Sequence, residues 1–184
     1  MPQKPTILKT QEVARSRLFC VEELHLKFSN GEQRIYERLK AGGSGAVMVV
    51  AINEHQQVLL IREYAAGVED YELALPKGLV EKDEDVLSAA NRELMEETGF
   101  GAKNLQLLKV MSLAPGYLSH KMHVILARDL YEQKLEGDEP EPIEVVPYAL
   151  DQLDLLLRRD DFTEARSIAA LYMTREYLLQ DALK

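Results

Sequence analysis

Residues 78–100 read GLVEKDEDVLSAANRELMEETGF, and the spacing of charge in this stretch decides how the chain is to be read. Its centre is Arg92, Glu93, Leu94, Met95, Glu96, Glu97, Thr98 and Gly99. Glu93, Glu96 and Glu97 stand at i, i+3 and i+4, so they project from one side of an α-helix. Like charges this close repel one another. Most acidic runs are solvated helix faces, but the apolar stripe entering through Val86, Ala89 and Ala90 arrives at these glutamates, where a core-facing helix would carry Leu or Ile. Inward carboxylates are costly without a neutralising partner. A cation supplies one, and hard carboxylate oxygens suit Mg2+ or Mn2+.

The stretch fits G-x5-E-x7-R-E-U-x-E-E-x-G-U, with U a bulky apolar residue, through Gly78, Glu84, Arg92, Glu93, Leu94, Glu96, Glu97, Gly99 and Phe100. Fixed spacing across this many positions makes a sharp signal, and it resembles the signature of the Nudix hydrolases. The resemblance implies an α/β/α sandwich with a mixed sheet and metal-dependent hydrolysis of a nucleoside diphosphate linked to another moiety. It implies roles as well: Glu93 and Glu97 as direct metal ligands, Glu96 as a third ligand or a bridge through water, and the Lys77 carbonyl brought near the metal by the turn at Gly78. Arg92 would orient the loop and the ligands, pairing with Glu84 or with neighbouring carboxylates. Asp83 and Glu84 fall near the helix start, where capping alone also accounts for them, and Gly99 is placed to end the helix in the left-handed conformation.

Hydrolysis needs a general base. In the ADP-ribose pyrophosphatase branch of the family it comes from an acidic loop beyond the box, and EGDEPEPIE over 136–144 is such a segment. By similarity Glu139 would be the base and Glu141 a further metal ligand; a solvated connector is the alternative. Pro115 in SLAPGY over 112–117 lies sixteen positions after Gly99, as the proline of that branch does, although Pro-Gly is also a plain turn. Two departures mark the chain: Pro76-Lys77-Gly78, where many of that branch have Pro-Ala-Gly, and His120 where a glutamate is usual. Together they look like a branch with broadened selectivity, accepting ADP-ribose, NADH and short diadenosine polyphosphates. The alternatives are a hydrolase preferring longer diadenosine polyphosphates and a nucleotide sensor without turnover. Arg62 resembles the arginine that meets substrate phosphates, Tyr117 offers a ring to adenine or to packing, and His120 and His123 read as strand-face residues.

The whole chain is in keeping with one Nudix domain, at about 46–184, preceded by an N-terminal β-hairpin extension at 1–45. Its 184 residues bury one sizeable core, and 46% apolar residues are ordinary for a soluble protein. Cys20 is alone, so no intrachain disulfide forms, and a reducing cytoplasm is the expected compartment. No apolar run is long enough to span a membrane, and a net charge of −9 disfavours nucleic acid and anionic membranes as partners. Strands are expected at about 18–28 and 33–39 around an Asn30-Gly31 turn, at 46–53 and 57–62, and at 105–113 and 121–128 around Pro115. Helices are expected near 149–159 and 163–182, the latter with Ile168, Leu171, Tyr172, Leu178 and Leu179 as its apolar face. The resemblance implies a homodimer in which the N-terminal sheet meets the partner subunit.

Overall fold

The computed structural model describes residues 3–181. At its centre lies β4 (Ala46–Ala51), whose six residues are all buried. Alternate side chains of a strand point to opposite faces. Val47, Val49 and Ala51 accordingly meet Ala89, Ala90 and Leu94 of the helix α1 (Val86–Thr98), while Met48 and Val50 join Leu156, Phe162, Ala170 and Leu171 on the other face. A sheet covered on both sides follows, and it is the α/β/α sandwich that the signature implied.

Besides β4, the chain runs through β1 (Thr6–Arg15), β2 (Cys20–Lys27), β3 (Gln33–Leu39), β5 (Gln57–Ala65), β6 (Asp70–Ala74), β7 (Lys77–Leu79), β8 (Phe100–Ser112), β9 (Lys121–Glu132) and β10 (Glu144–Ala149). A 3-10 turn at Leu150–Gln152 leads into α2 (Leu153–Leu156), and α3 (Ala165–Asp181) follows. The central sheet has the order β7-β4-β9-β8, with β4 and β9 parallel and the other pairs antiparallel. A second sheet, β10-β5-β6, is antiparallel, and a third, β1-β2-β3, forms the N-terminal part. Among the described residues no helix is long and apolar enough to cross a membrane.

The N-terminal part is a three-stranded sheet where a hairpin was expected. Every residue of β1 is exposed, so no inside-outside alternation marks it in the sequence. Asn30-Gly31 does make the turn, with Gly31 at φ +88° and the Glu32 N–H donating to Asn30 Oδ1 at 3.1 Å. The short β6 and β7 were not anticipated either, and β8 begins at Phe100, well before the expected 105.

The helices carry further corrections. The cap of α1 is Asp85, whose side chain accepts from the N–H groups of Leu87 and Ser88; Asp83 instead turns the chain at φ +65°, and Glu84 accepts from the Glu81 N–H. Of the expected helix at 149–159 only the 3-10 turn and the four residues of α2 form. Ala182, at the expected end of the last helix, lies outside the described residues. On α3 the buried positions are Ser167, Ala170, Leu171 and Thr174. Tyr172 and Leu179 point outward at 37% and 56% exposure, and Arg175 lies over the Tyr172 ring at 4.6 Å. Ser167 is tolerated in the interior because its Oγ accepts from the Leu75 N–H at 3.0 Å and donates to Glu164 at 2.8 Å.

Candidate active site

The box folds as one local unit because its parts bond to one another. Arg92 uses all three guanidinium nitrogens. Nε and Nη2 grip both oxygens of Glu84 at 2.9 and 3.0 Å, Nη1 reaches Glu93 at 2.8 Å and Glu96 at 2.9 Å, and Nη2 also donates to the Leu79 carbonyl at 3.0 Å. The pairing expected two turns back is therefore present, and one planar cation ties the loop before α1 to two glutamates on it. This contact holds the Glu84 carboxyl below the usual range, and the surrounding carboxylates push the Arg92 pKa upward.

Glu97 lies deeper, at 5% exposure. Its Oε2 accepts the Lys77 N–H at 2.9 Å. Burial pushes its carboxyl up to about 9, against the pull of the Lys77 charge and N–H. Glu93 is buried too, and burial raises its carboxyl despite Arg92. Gly78 explains how Glu93 reaches its place: a Cβ on residue 78 would overlap the Glu93 carboxylate. Strand β7 pairs with β4 through Lys77↔Met48, which fixes this peptide against α1.

These carboxylates open on a cavity of about 790 Å³ that also takes in Glu63, Lys77 and the 136–139 segment. Glu139 lines it, folded back over Gly137, where a Cβ would overlap its carboxylate. Neither Glu63 nor the Lys77 side chain was singled out in the sequence; Lys77 Nζ and Glu63 pair at 2.8 Å across the cavity wall. They lie on β5 and β7, strands of different sheets, so no local pattern announces the pair.

Among the described residues no three acidic, imidazole or thiol side chains converge at ligand distance. Arg92 draws Glu93 and Glu96 to itself, and Glu97 turns to the Lys77 N–H. The donor set nevertheless fits a hard divalent cation: buried carboxylates, more negative charge than Arg92 and Lys77 neutralise, and a glycine leaving room against the backbone.

The remaining expected residues lie around this cavity at different distances in the fold. Arg62 lies in an adjoining cavity, held by Glu144 at 2.9 Å and Asp161 at 2.8 Å. Glu141 faces the same cavity and accepts from the Tyr71 hydroxyl at 2.5 Å. Pro115 and Tyr117 do not line the acidic cavity. They form a turn against the N-terminal sheet, in which the Leu39 N–H donates to the Tyr117 carbonyl at 2.7 Å and Tyr117 is 60% exposed. His123 is on β9, with Nδ1 3.1 Å from the Ala46 carbonyl oxygen. His120 precedes that strand instead of lying on it, and burial lowers its pKa. It borders a cavity of about 690 Å³ between the N-terminal sheet and the core, which shares Lys77, Gly78 and Leu79 with the acidic cavity and adds Lys40, Phe19 and Arg166.

Comparison with known proteins agrees with this geometry. The family model described as NudE-type Nudix hydrolase N-terminal domain matches residues 5–38, and that of the NUDIX domain matches residues 44–171. The chain is 53% identical over 176 residues to the ADP compounds hydrolase NudE of Escherichia coli (strain K12), covering 96% of this chain and 94% of that protein. It is 30% identical over 181 residues to the ADP-ribose pyrophosphatase of Bacillus subtilis (strain 168), covering 94% and 97%. A solved crystal structure of an ADP compounds hydrolase superposes with a TM-score of 0.91 at 51% identity, covering 98% of this chain and 97% of that one.

Proposed function

The chain belongs to the NUDIX family, and from that premise we propose that it hydrolyses the pyrophosphate of ADP-linked small molecules to AMP and the phosphorylated remainder. It is a pyrophosphohydrolase of the ADP compounds hydrolase type. ADP-ribose, NADH and short diadenosine polyphosphates are the proposed substrates. The observation that carries the reading is the placing of Glu93, Glu96, Glu97 and Glu139 around one cavity, beside a glycine that admits the Glu93 carboxylate.

Family members of this kind use divalent metal ions, and Mg2+, with Mn2+ as a substitute, is the proposed cofactor. Glu93 and Glu97 would hold it, with Glu96, the Lys77 carbonyl and Glu141 as further oxygen donors. Bound there, it would neutralise pyrophosphate oxygens that this acidic protein otherwise repels. Arg92 holds the carboxylates in place. Glu139 takes the proton from the attacking water, and its place on the 136–144 loop, in the same cavity as Glu97, supports that role. Positioning and charge stabilisation supply the rest of the acceleration.

The neighbouring cavity, apolar in its walls and bordered by Lys40, His120 and Arg166, is suited to the AMP half. Pro115 and Tyr117 are assigned to the adenine side of the substrate and Arg62 to its phosphates. A homodimer through the N-terminal sheet is the proposed assembly, supported by the exposure of Ile7, Leu8, Ile35 and Tyr36 at 57%, 51%, 60% and 47%. The lone cysteine supports a reducing cytoplasm as its compartment.

The test is a chromatographic product profile with Mg2+ and a chelator control against ADP-ribose, NADH, diadenosine di-, tri- and tetraphosphate and a GDP-sugar. AMP from the ADP-linked compounds is the expected result. Cleavage confined to the tetraphosphate would assign the chain to longer phosphate chains, and binding without turnover would make it a sensor.

A further inference from the structure

The β5-β6 hairpin carries an aromatic pair that the hydrolytic cavity does not use. Tyr64 and Tyr71 face each other directly across the hairpin, with ring centroids 5.7 Å apart and planes at 72°. Both stay open to solvent, at 51% and 45% exposure. They line a cavity of about 230 Å³ with Arg62 and the 139–144 loop, and Glu63 and Glu139 border both this cavity and the acidic one. The two spaces therefore adjoin where the proposed base sits.

The charge around the rings selects what they would take. Glu63, Glu139, Glu141 and Glu144 supply carboxylates, and Arg62, the cation among the described lining residues, is paired with Glu144 and Asp161. A rim with more carboxylates than cations accepts N–H donors. Exposed tyrosine rings offer a π face to a planar heterocycle. We propose that Tyr64 and Tyr71 seat the second heterocyclic base of a two-base substrate. A loop carboxylate accepts the N–H of its exocyclic amine or carboxamide.

This inference rests on the pyrophosphohydrolase reading and concerns which substrates it favours. ADP-ribose ends in a sugar and places no second base in the cavity; a dinucleotide does. The rings would thus set the preference for two-base substrates over ADP-ribose.

The experiment compares kcat/KM for diadenosine diphosphate and NADH with that for ADP-ribose in the wild-type chain, Tyr64→Ala and Tyr71→Phe. Loss of a base-stacking ring weakens binding of that base, so Tyr64→Ala is expected to lower the two-base to ADP-ribose ratio about tenfold, mainly through KM. Tyr71→Phe, which keeps the ring and loses the bond to Glu141, is expected to keep the ratio. An unchanged ratio in Tyr64→Ala, or equal losses on both substrate classes, would overturn the inference. A second arm measures binding by calorimetry of a methylene-bridged, non-hydrolysable diadenosine analogue. About tenfold weaker binding to Tyr64→Ala supports the site whatever the turnover, and equal or absent binding overturns it. Absence of AMP from every compound with the wild-type chain would instead count against the hydrolase reading.

Discussion

Gly78 and Glu93 occupy each other's space: the carboxylate of Glu93 lies where the Cβ of any other residue at 78 would stand. The glycine is required here by contact and not by backbone conformation. Gly78→Ala is expected to leave the fold intact and displace Glu93, lowering kcat/KM by about a hundredfold, in the range seen when support of a metal ligand is lost. Circular dichroism alongside kinetics checks it; a few-fold effect would remove Glu93 from the metal site.

Glu97→Gln keeps the shape and the Lys77 contact and removes the charge. Hydrolysis should fall by at least about a hundredfold, while thermal stability in chelator holds or rises, because burial holds the carboxyl protonated to about 9 and that costs stability near neutral pH, a cost the amide does not carry. Turnover within a few-fold of wild type would refute the ligand assignment.

Glu139→Gln is expected to cost about 10²–10⁴ in kcat with Mn2+ affinity unchanged, as read by paramagnetic titration. A much smaller loss would put the base elsewhere in the chain.

Arg92→Lys tests geometry at constant charge. An ammonium cannot grip both Glu84 oxygens while serving Glu93, Glu96 and the Leu79 carbonyl. Activity should fall about 10–100-fold. Arg92→Ala, which leaves partly buried carboxylates without their cation, should also destabilise the chain by about 3 kcal/mol in denaturant unfolding. Equal activity in the lysine variant would reduce Arg92 to a point charge.

Part of the acid sensitivity should lie in the N-terminal sheet. Glu22, 5% exposed, is held below the usual carboxylate range by Lys40 and Arg38, at 2.7 and 2.8 Å. A carboxyl lowered in the folded state contributes stability that is complete above its unfolded pKa, about 4.3, and is lost as pH falls through its folded value. Melting temperature should therefore drop below about pH 4, and Glu22→Gln should flatten that drop. An identical acid profile in the variant would place the sensitive group elsewhere.

What the sequence disclosed was local. Offsets within one helix and its loop put Glu93, Glu96 and Glu97 on one side and Arg92 within reach of Glu84, and helix geometry then leaves little freedom. A strand was expected at 46–53, and β4 forms within it, though its burial on both faces was not anticipated. By contrast β1 has no buried face to impose alternation, and β7 is three residues long. The Lys77–Glu63 pair and the joining of the two cavities at Glu139 depend on packing between strands and a distant loop. The Tyr64–Tyr71 opposition follows from one hairpin register, which a one-residue slip would abolish.

Arg92 also bears on how the protein is made. Many metal sites leave their ligands repelling one another until the ion arrives, so that folding and metal capture are a single event. Here a covalently supplied cation already satisfies Glu84, Glu93 and Glu96. If the proposed ion site is right, folding of the chain should not wait on metal capture, and metal supply would set how many molecules work more than how many survive.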